Sequence, residues 1–373
     1  MGTDGDGRIR VLWLIKGLGP GGAERLLVHH ARARDRERFA YEVAYLVPEK
    51  SHLVPELTQL GLAVTCYDSP RTRDVAWVPQ LFLRLRRDPV DVIHVHSPLL
   101  AAKVRVMVRA LPRRIRPAVV TTEHNEWGKH RSATRWANRL TMGLDDHTVA
   151  VASGVRESMH RSRRGDVEVL VHGIDLATVR DAADRAGARD ELGIGHDELV
   201  VVTVANYRRE KAYDVLMAAA RKVIDETADV RFVAVGQGPL AGEIEDRHRR
   251  LHLGDRMILT GYRPDAVRIM SAGDIFCLAS RHEGLPVALM EALALGLPVV
   301  ATDVGGVGEV VRSAGVGRVV HPDRTDDLVD ALEIELADDE VRRAHAAAAV
   351  EAAERFSVVH AVDRLEEIYA EVA

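Results

Sequence analysis

Aromatic side chains are scarce in this chain, only 4% of its 373 residues. An interior built with so few of them must rest on Val, Leu, Ile and Ala. Cysteine is scarcer still. Cys66 and Cys277 fall in opposite halves, which excludes a disulfide framework, and both are expected as small buried hydrophobes inside strand-like runs. No apolar run reaches about 18 residues without a charge, so no spanning helix is expected. The start, Met1-Gly2-Thr3-Asp4-Gly5-Asp6-Gly7, lacks the basic and apolar regions of a signal peptide, and Asp6 spoils a myristoylation pattern. Internal repeats and low-complexity tracts do not stand out. These absences point to a cytoplasmic protein.

What is present is length, aliphatic content and a lopsided charge. At 373 residues and 47% apolar content the chain exceeds one ordinary core, so two domains are expected. Net charge is −5, but residues 1–180 carry 29 Lys and Arg against 20 Asp and Glu, while the remainder carries 22 against 36. The basic clusters are Arg84-Leu85-Arg86-Arg87, Arg113-Arg114-Ile115-Arg116 and Arg161-Ser162-Arg163-Arg164. A basic half can meet a phospholipid surface, a diphosphate-linked substrate or nucleic acid. The plain alternative is a set of solvated helix faces.

Apolar β-branched runs alternate with helical stretches throughout. They are Ile9–Ile15, Tyr41–Val47, Ala63–Tyr67, Val92–Val95, Ala118–Thr122, Thr148–Ala152 and Val167–Val171, then Leu199–Val204, Val230–Val235, Met257–Thr260, Ile275–Leu278 and Pro298–Thr302. This alternation predicts βαβ units and parallel sheets, hence an α/β chain of two doubly wound, Rossmann-like domains. The division expected is 1–180 and 181–354, with an irregular polar linker around Leu176 to Glu191. An amphipathic final stretch, Val358 to Ala373, is expected to pack back on the first domain, which thereby gains 355–373.

Ligands of such sheets bind beyond the carboxyl ends of the strands. After the first strand comes Lys16-Gly17-Leu18-Gly19-Pro20-Gly21-Gly22-Ala23-Glu24-Arg25, a Gly-rich turn opening a helix. Its backbone can approach a phosphate or sugar closely, although a tight turn with no ligand explains it too. His94-Val95-His96 puts two imidazoles on one strand face, and His124 follows the strand ending in Thr121-Thr122-Glu123. Spacing supplies these histidines with no acidic or Cys partner, so hydrogen bonding near a cleft is the stronger reading and no metal site is assigned. In the second half Asn206-Tyr207-Arg208-Arg209-Glu210-Lys211 precedes a helix from Tyr213 to Val223. Cations beside a helix N-terminus are unfavourable unless an anion sits there, which points to phosphate. Gly236-Gln237-Gly238-Pro239 and Gly261-Tyr262-Arg263-Pro264 follow the next two strands, and neither is specific alone.

Glu283-Gly284-Leu285-Pro286-Val287-Ala288-Leu289-Met290-Glu291 is the most informative stretch. Pro286 suits a first helical turn, and Gly296 with Pro298 supplies the stop. Glu283 then lies in the loop and Glu291 one to two turns inside a helix apolar nearly all round. Glu291 is therefore expected to be at least partly buried, where a carboxylate needs partners. An ordinary exposed pair of charges is the rival. The helix mouth favours an anion, and flanking carboxylates accept hydrogen bonds from hydroxyls. Phosphate together with hydroxyls describes a sugar nucleotide or something like it.

Taken in order, these pieces resemble the retaining family-4 glycosyltransferases of the GT-B fold over Gly17 to Glu309. The motifs are Gly-Gly-Ala-Glu-Arg at 21–25, Glu-His-Asn at 123–125, His-Gly-Ile-Asp at 172–175, Arg-Arg-Glu-Lys at 208–211, Gly-x-Gly-Pro at 236–239, Glu-x7-Glu at 283–291 and Gly-Gly-Val-Gly-Glu at 305–309. The resemblance implies that Arg208 and Lys211 hold the donor diphosphate. It implies that Glu291 accepts from the ribose hydroxyls and that Glu283 touches the transferred sugar. Gly284, Leu285 and Pro286 would form the donor-side helix mouth, and His124 would face the donor sugar from the other domain. Gly19, Gly21 and Gly22 would line the floor, Asn206 and Gly236 the donor pocket, and Tyr262 and Arg263 the base. Asn206 stands where the family often has Arg, and His172 where Asn is commoner.

The activity so implied is retaining, metal-independent hexosyl transfer, with no cofactor. A nucleotide-sugar donor, UDP favoured, would give its sugar to a saccharide or lipid-linked acceptor in cell-surface polysaccharide or glycoconjugate synthesis. Peripheral contact with an anionic membrane is part of this expectation, and nucleic acid is not. A sugar-nucleotide epimerase and a non-catalytic sugar or nucleic-acid binding protein are the alternatives.

Overall fold

The computed structural model describes residues 7–19, 21–69, 75–227 and 229–373. The acidic start before Gly7 and Pro20 of the Gly-rich turn lie outside the described residues. The chain forms two compact units, Met1–Gly173 with Val358–Ala373, and Ile174–Ser357.

The first unit holds seven strands: β1 (Ile9–Ile15), β2 (Phe39–Tyr45), β3 (Ala63–Cys66), β4 (Val92–Val95), β5 (Ala118–Glu123), β6 (His147–Ala150) and β7 (Val167–Val169). They pair in parallel in the order β3-β2-β1-β4-β5-β6-β7. β1 is central, and its continuous apolar run is buried on both faces, as a parallel strand under two helical layers must be. Helix Gly22–Ala33 and the final helix Val358–Val372 cover one face with Leu27, Ala31, Leu365 and Ile368. Helices Trp77–Arg87 and Pro98–Arg109 cover the other with Leu81, Leu85, Leu100 and Val104. Tyr369 of the final helix is buried to 1% exposure, and its hydroxyl meets Trp13 Nε1 at 3.3 Å and His94 Nδ1 at 2.5 Å.

The second unit holds β8 (Leu199–Val204), β9 (Val230–Val235), β10 (Met257–Gly261), β11 (Ile275–Leu278), β12 (Val299–Thr302) and β13 (Gly317–Val320), all parallel in the order β10-β9-β8-β11-β12-β13. Helix Tyr213–Glu226 buries Tyr213, Leu216, Met217, Ala220, Val223 and Ile224, the 3–4 spacing of an amphipathic helix.

Four expectations need correction. The span from Leu176 to Glu191 is not an irregular linker. It forms helices Leu176–Asp181 and Arg185–Leu192, capped by Asp175 on Thr178 N–H and by Asp184 on Gly187 N–H, each at 3.0 Å. Its exposed polar residues hide the buried Leu176, Val179, Ala188 and Arg189. The first unit accordingly stops at Gly173 rather than residue 180. Cys66 is exposed, because β3 is an edge strand, whereas Cys277 in β11 is buried and its thiol is pushed up to about 12 by burial. The sequence reading also omits β13, a four-residue edge strand opening on Gly317 and Arg318.

Candidate active site

In the second unit, the strand order reverses between β8 and β11. The loops leaving these neighbouring strands are the ones that carry Arg208, Lys211 and Glu283. Such a reversal opens a crevice at the carboxyl edge of a parallel sheet.

After β8 the chain makes a single 3-10 turn, Arg209–Lys211, with Arg208 at its N-cap. Ala212 then takes a left-handed backbone, φ 49°, before helix Tyr213–Glu226 begins. The two cations therefore lie ahead of the helix rather than inside its first turn. Arg208 is exposed and Lys211 part-buried. Lys211 Nζ donates to Glu283 Oε1 at 2.6 Å. Ser280 Oγ donates to the same oxygen at 2.6 Å. Among the described residues no hydrogen bond reaches Glu283 Oε2, so that lone-pair face can accept from a ligand hydroxyl.

Arg281 joins the two loops. Its guanidinium donates to Asp214 Oδ1 and Oδ2 at 3.0 and 2.7 Å and to the Arg209 carbonyl at 2.9 Å, and its N–H donates to the Glu210 carbonyl at 2.8 Å. The Arg281 fork holds the Asp214 carboxyl below its ordinary range. Sequence reasoning missed Ser280, Arg281 and Asp214. Their roles follow from the adjacency of β8 and β11, which is not a local pattern.

Pro286 caps helix Val287–Ala294 in extended conformation, one position before the helical turn expected for it. Glu291, the fifth residue, is buried at 8% exposure. Gly296, φ 70°, lies just past the end. Behind the loop stands Gly305, φ 56°. A Cβ there would fall 2.3 Å from the Glu283 carbonyl and 2.5 Å from the Gly284 carbonyl. Gly306 N–H donates to Gly284 O at 2.7 Å. The Gly-Gly turn after β12 thus braces the Glu283 loop from below.

The remaining second-unit candidates are engaged differently. Gly236 is required by loop packing, since a Cβ would meet the Ala205 carbonyl at 2.0 Å. The Gly236 N–H donates to Gly261 O at 3.0 Å, and Tyr207 N–H to Gln237 O at 2.8 Å. These bonds knit the β8, β9 and β10 loops together, with Asn206 between them accepting from Arg208 N–H at 2.8 Å. Tyr262 is 42% exposed. Arg263 turns its fork onto Asp265, 2.8 Å for each arm, and reaches Glu191 at 2.5 Å. That pairing holds the Asp265 carboxyl well below the usual carboxylate range. Arg263 therefore braces the loop against helix Arg185–Leu192.

The first unit has its own reversal, between β1 and β4. The Gly-rich turn leaves β1 with Gly17 and Gly19 buried, and Gly21 caps helix Gly22–Ala33. Leu18 N–H donates to Lys50 O at 2.7 Å, which anchors this turn to the loop after β2. Beside it five imidazoles form a continuous series. Ring centroids are 4.1 Å apart for His94–His96, 5.6 Å for His96–His124, 5.4 Å for His124–His172 and 5.1 Å for His172–His30. His94 is spoken for, with Nε2 at 2.7 Å from Thr122 Oγ1 and Nδ1 on Tyr369. Burial pushes His124 down to about 4 and His30 to about 3, and it drives His94, His96 and His172 well down too. All five are neutral at pH 7. His30 Nε2, His96 Nε2 and both nitrogens of His172 are buried without a hydrogen-bond partner among the described residues. The sequence marks four of these histidines, His94 and His96 as a pair, and folding adds His30 and lines the five up ring to ring. No group of three or more His, Cys, Asp or Glu among the described residues is placed to hold a metal ion.

Residues 20–178 match the model of the Glycosyltransferase Family 4, and residues 184–352 that of the Glycosyl transferases group 1. Alpha-D-kanosaminyltransferase of Streptomyces kanamyceticus is 29% identical over 318 residues, 79% of this chain and 81% of that protein. The UDP-Gal:alpha-D-GlcNAc-diphosphoundecaprenol alpha-1,3-galactosyltransferase of Escherichia coli is 24% identical over 336 residues, 86% of each. Among solved structures, Anabaena Alr3699/HepE in complex with UDP-glucose superposes with a TM-score of 0.82 at 20% identity, covering 98% of this chain and all of that one.

Proposed function

The chain belongs to the family-4 glycosyltransferases of the GT-B fold, and from that premise we propose that it transfers a hexosyl group from a UDP-sugar with retention of anomeric configuration. The acceptor is a saccharide or a lipid-linked saccharide, as in the synthesis of cell-surface polysaccharides. The observation that carries the reading is the Lys211–Glu283 contact at the β8/β11 reversal, beside the mouth of the helix that holds Glu291.

Breaking the sugar–diphosphate bond puts negative charge on phosphate and positive character on the sugar ring. Lys211 has three N–H donors, of which Glu283 takes one. Two remain for diphosphate oxygens, with Arg208 offering a planar fork from the same turn. These cations and the helix-mouth amides of Gly284 and Leu285 stabilise the leaving group without a metal. Glu283 Oε2 accepts from a hydroxyl of the transferred sugar, and Glu291 from the ribose. In the first unit, His124 and the nitrogens of His96 and His172 that have no partner among the described residues offer neutral polar contacts that suit sugar hydroxyls.

UDP is favoured by two likenesses, the Anabaena structure with UDP-glucose and the E. coli relative named for UDP-Gal. The latter name also motivates a lipid-linked acceptor. A melting-temperature panel of UDP, GDP and ADP tests the donor, since a ligand that prefers the native state raises the midpoint. A rise with UDP alone is expected, and a rise confined to GDP refutes the base assignment. Transfer unaffected by EDTA and an NMR-determined α-product from an α-linked donor are expected; an inverted product removes the retaining assignment.

A further inference from the structure

The final helix reaches the histidine series through Tyr369. Trp13, His94, Thr122 and Tyr369 are each exposed by 2% or less, and three hydrogen bonds join them in a row. Trp13 Nε1 meets Tyr369 Oη at 3.3 Å, Tyr369 Oη meets His94 Nδ1 at 2.5 Å, and His94 Nε2 meets Thr122 Oγ1 at 2.7 Å. Tyr369 stands 275 positions from His94 and reaches it because Val358–Val372 packs back on the first sheet.

The row has a direction. An indole N–H only donates, so Trp13 takes a lone pair of the tyrosine oxygen. Burial keeps the Tyr369 phenol protonated and His94 neutral. The 2.5 Å separation of Tyr369 Oη from His94 Nδ1 suits an O–H donor and is shorter than an N–H donor gives. The phenol proton therefore points at His94 Nδ1. A neutral imidazole has one donor and one acceptor nitrogen, so His94 carries its proton on Nε2 and donates to Thr122. Bound at both nitrogens, the ring is held in one tautomer and one orientation.

That fixed ring is the inner end of the series. His96 packs on it with ring centroids 4.1 Å apart, and His96 Nδ1 lies 3.4 Å from His124 Nε2. Among the described residues His96 Nε2 has no hydrogen-bond partner, so the place of this ring depends on its two neighbours. We propose that Tyr369 is a positioning residue for sugar transfer: it locks His94, and His94 and His96 together hold His124 at the angle from which it meets the sugar. The inference rests on the role given to His124 above. Tyr369 itself is buried and touches no substrate. Tyr41 provides the contrast, because its hydroxyl bonds Glu366 of the same helix at 2.7 Å and bonds no histidine among the described residues.

The test compares the full chain, labelled with nitrogen-15 histidine, with its Tyr369→Phe and Tyr41→Phe variants, each of which removes one hydroxyl and keeps the ring. In Tyr369→Phe one imidazole is expected to lose its pure Nε2–H pattern in the NMR spectrum. The kcat/KM for UDP release from UDP-glucose is expected to fall about tenfold. UDP affinity in calorimetry stays within about twofold, since the proposed diphosphate contacts lie in the second unit. Tyr41→Phe lowers the melting temperature to a similar extent and leaves both turnover and the histidine signals at wild-type values. His124→Ala combined with Tyr369→Phe is expected to be no slower than His124→Ala alone. Unchanged histidine signals in Tyr369→Phe, wild-type turnover of Tyr369→Phe beside an impaired His124→Ala, additive losses in the double variant, or an equal loss in Tyr41→Phe overturns the inference. Full turnover by His124→Ala overturns the sugar contact proposed above and this inference with it. A failure of UDP-glucose as donor concerns the proposed function alone, and the histidine signals then decide the lock on His94.

Discussion

Lys211 and Glu283, 72 positions apart in sequence, meet at 2.6 Å between Nζ and Oε1. Both side chains are largely enclosed, at 19% and 8% exposure. The contact holds a cation where two strand-end loops converge, and the carboxylate that holds it keeps one oxygen for a ligand. On the proposed reading, an ammonium fixed this way need not be collected from solvent when a diphosphate arrives.

Lys211→Ala removes the cation proposed to meet the diphosphate and leaves Glu283 with Ser280 alone. Sugar transfer is expected to fall about a hundredfold or more in kcat/KM, with the fold retained by circular dichroism. Glu283→Gln keeps the shape but loses the charge, and the double variant is expected to be no worse than Lys211→Ala. Additive losses would show that the two act separately.

Arg281 is a positioning residue, because it ties the β8 loop to the β11 loop through Asp214 and the Arg209 carbonyl. Arg281→Ala is expected to raise the donor KM about tenfold and to weaken UDP binding in calorimetry, because the Lys211 turn loses its brace. An Asp214→Asn variant should show a milder effect of the same kind. Unchanged UDP affinity in both would remove this role.

Gly305 carries a positive φ and lies against the Glu283 and Gly284 carbonyls. Gly305→Ala combines backbone strain with a clash, so a loss of about 2 kcal/mol in unfolding free energy is expected. Activity should fall further than stability alone requires, since the Glu283 loop must move. Urea unfolding together with the donor KM of the variant tests both halves, and a variant with wild-type KM would show that the loop tolerates the shift.

The five buried, ring-to-ring histidines give the first unit a pH dependence whose sign is fixed. Burial lowers their folded pKa values, to about 4 for His124 and about 3 for His30. An unfolded imidazole titrates near about 6.5. Between these values the unfolded chain binds more protons than the folded one, so the neutral cluster stabilises fully above about pH 6.5 and progressively less as pH falls towards 4. Each imidazole contributes up to about 1.4 kcal/mol per pH unit in that window. All four tryptophans lie in this unit, so urea unfolding followed by tryptophan emission at pH 7, 6 and 5 isolates it. A stability independent of pH over that range would contradict the buried neutral cluster.

The amino-acid order alone determined the alternation of strand and helix, the two doubly wound units, the Pro286 entry into a short apolar helix and the burial of Glu291. Each of these is written in local spacing or in the chain-long βαβ rhythm, and local patterns survive without knowledge of the fold. The helices at 176–192 escape the sequence reading, because polar outer faces mask the buried Leu176, Val179, Ala188 and Arg189. The exposure of Cys66 was not legible, because an edge strand and a central strand share the same apolar residues. Only the tertiary structure decided that β8 lies beside β11, and so that Lys211, Glu283, Ser280, Arg281 and Asp214 are joined in one network of strand-end loops. Folding alone also gathered His30, His94, His96, His124 and His172 into one ring-to-ring series, turned Arg263 onto Asp265 and Glu191, and left Trp136 and Leu140 outside. The physical reason is common to all of them. Strand order and helix rotation are set by the total burial of the sheet faces, a sum over distant residues that no window of sequence contains.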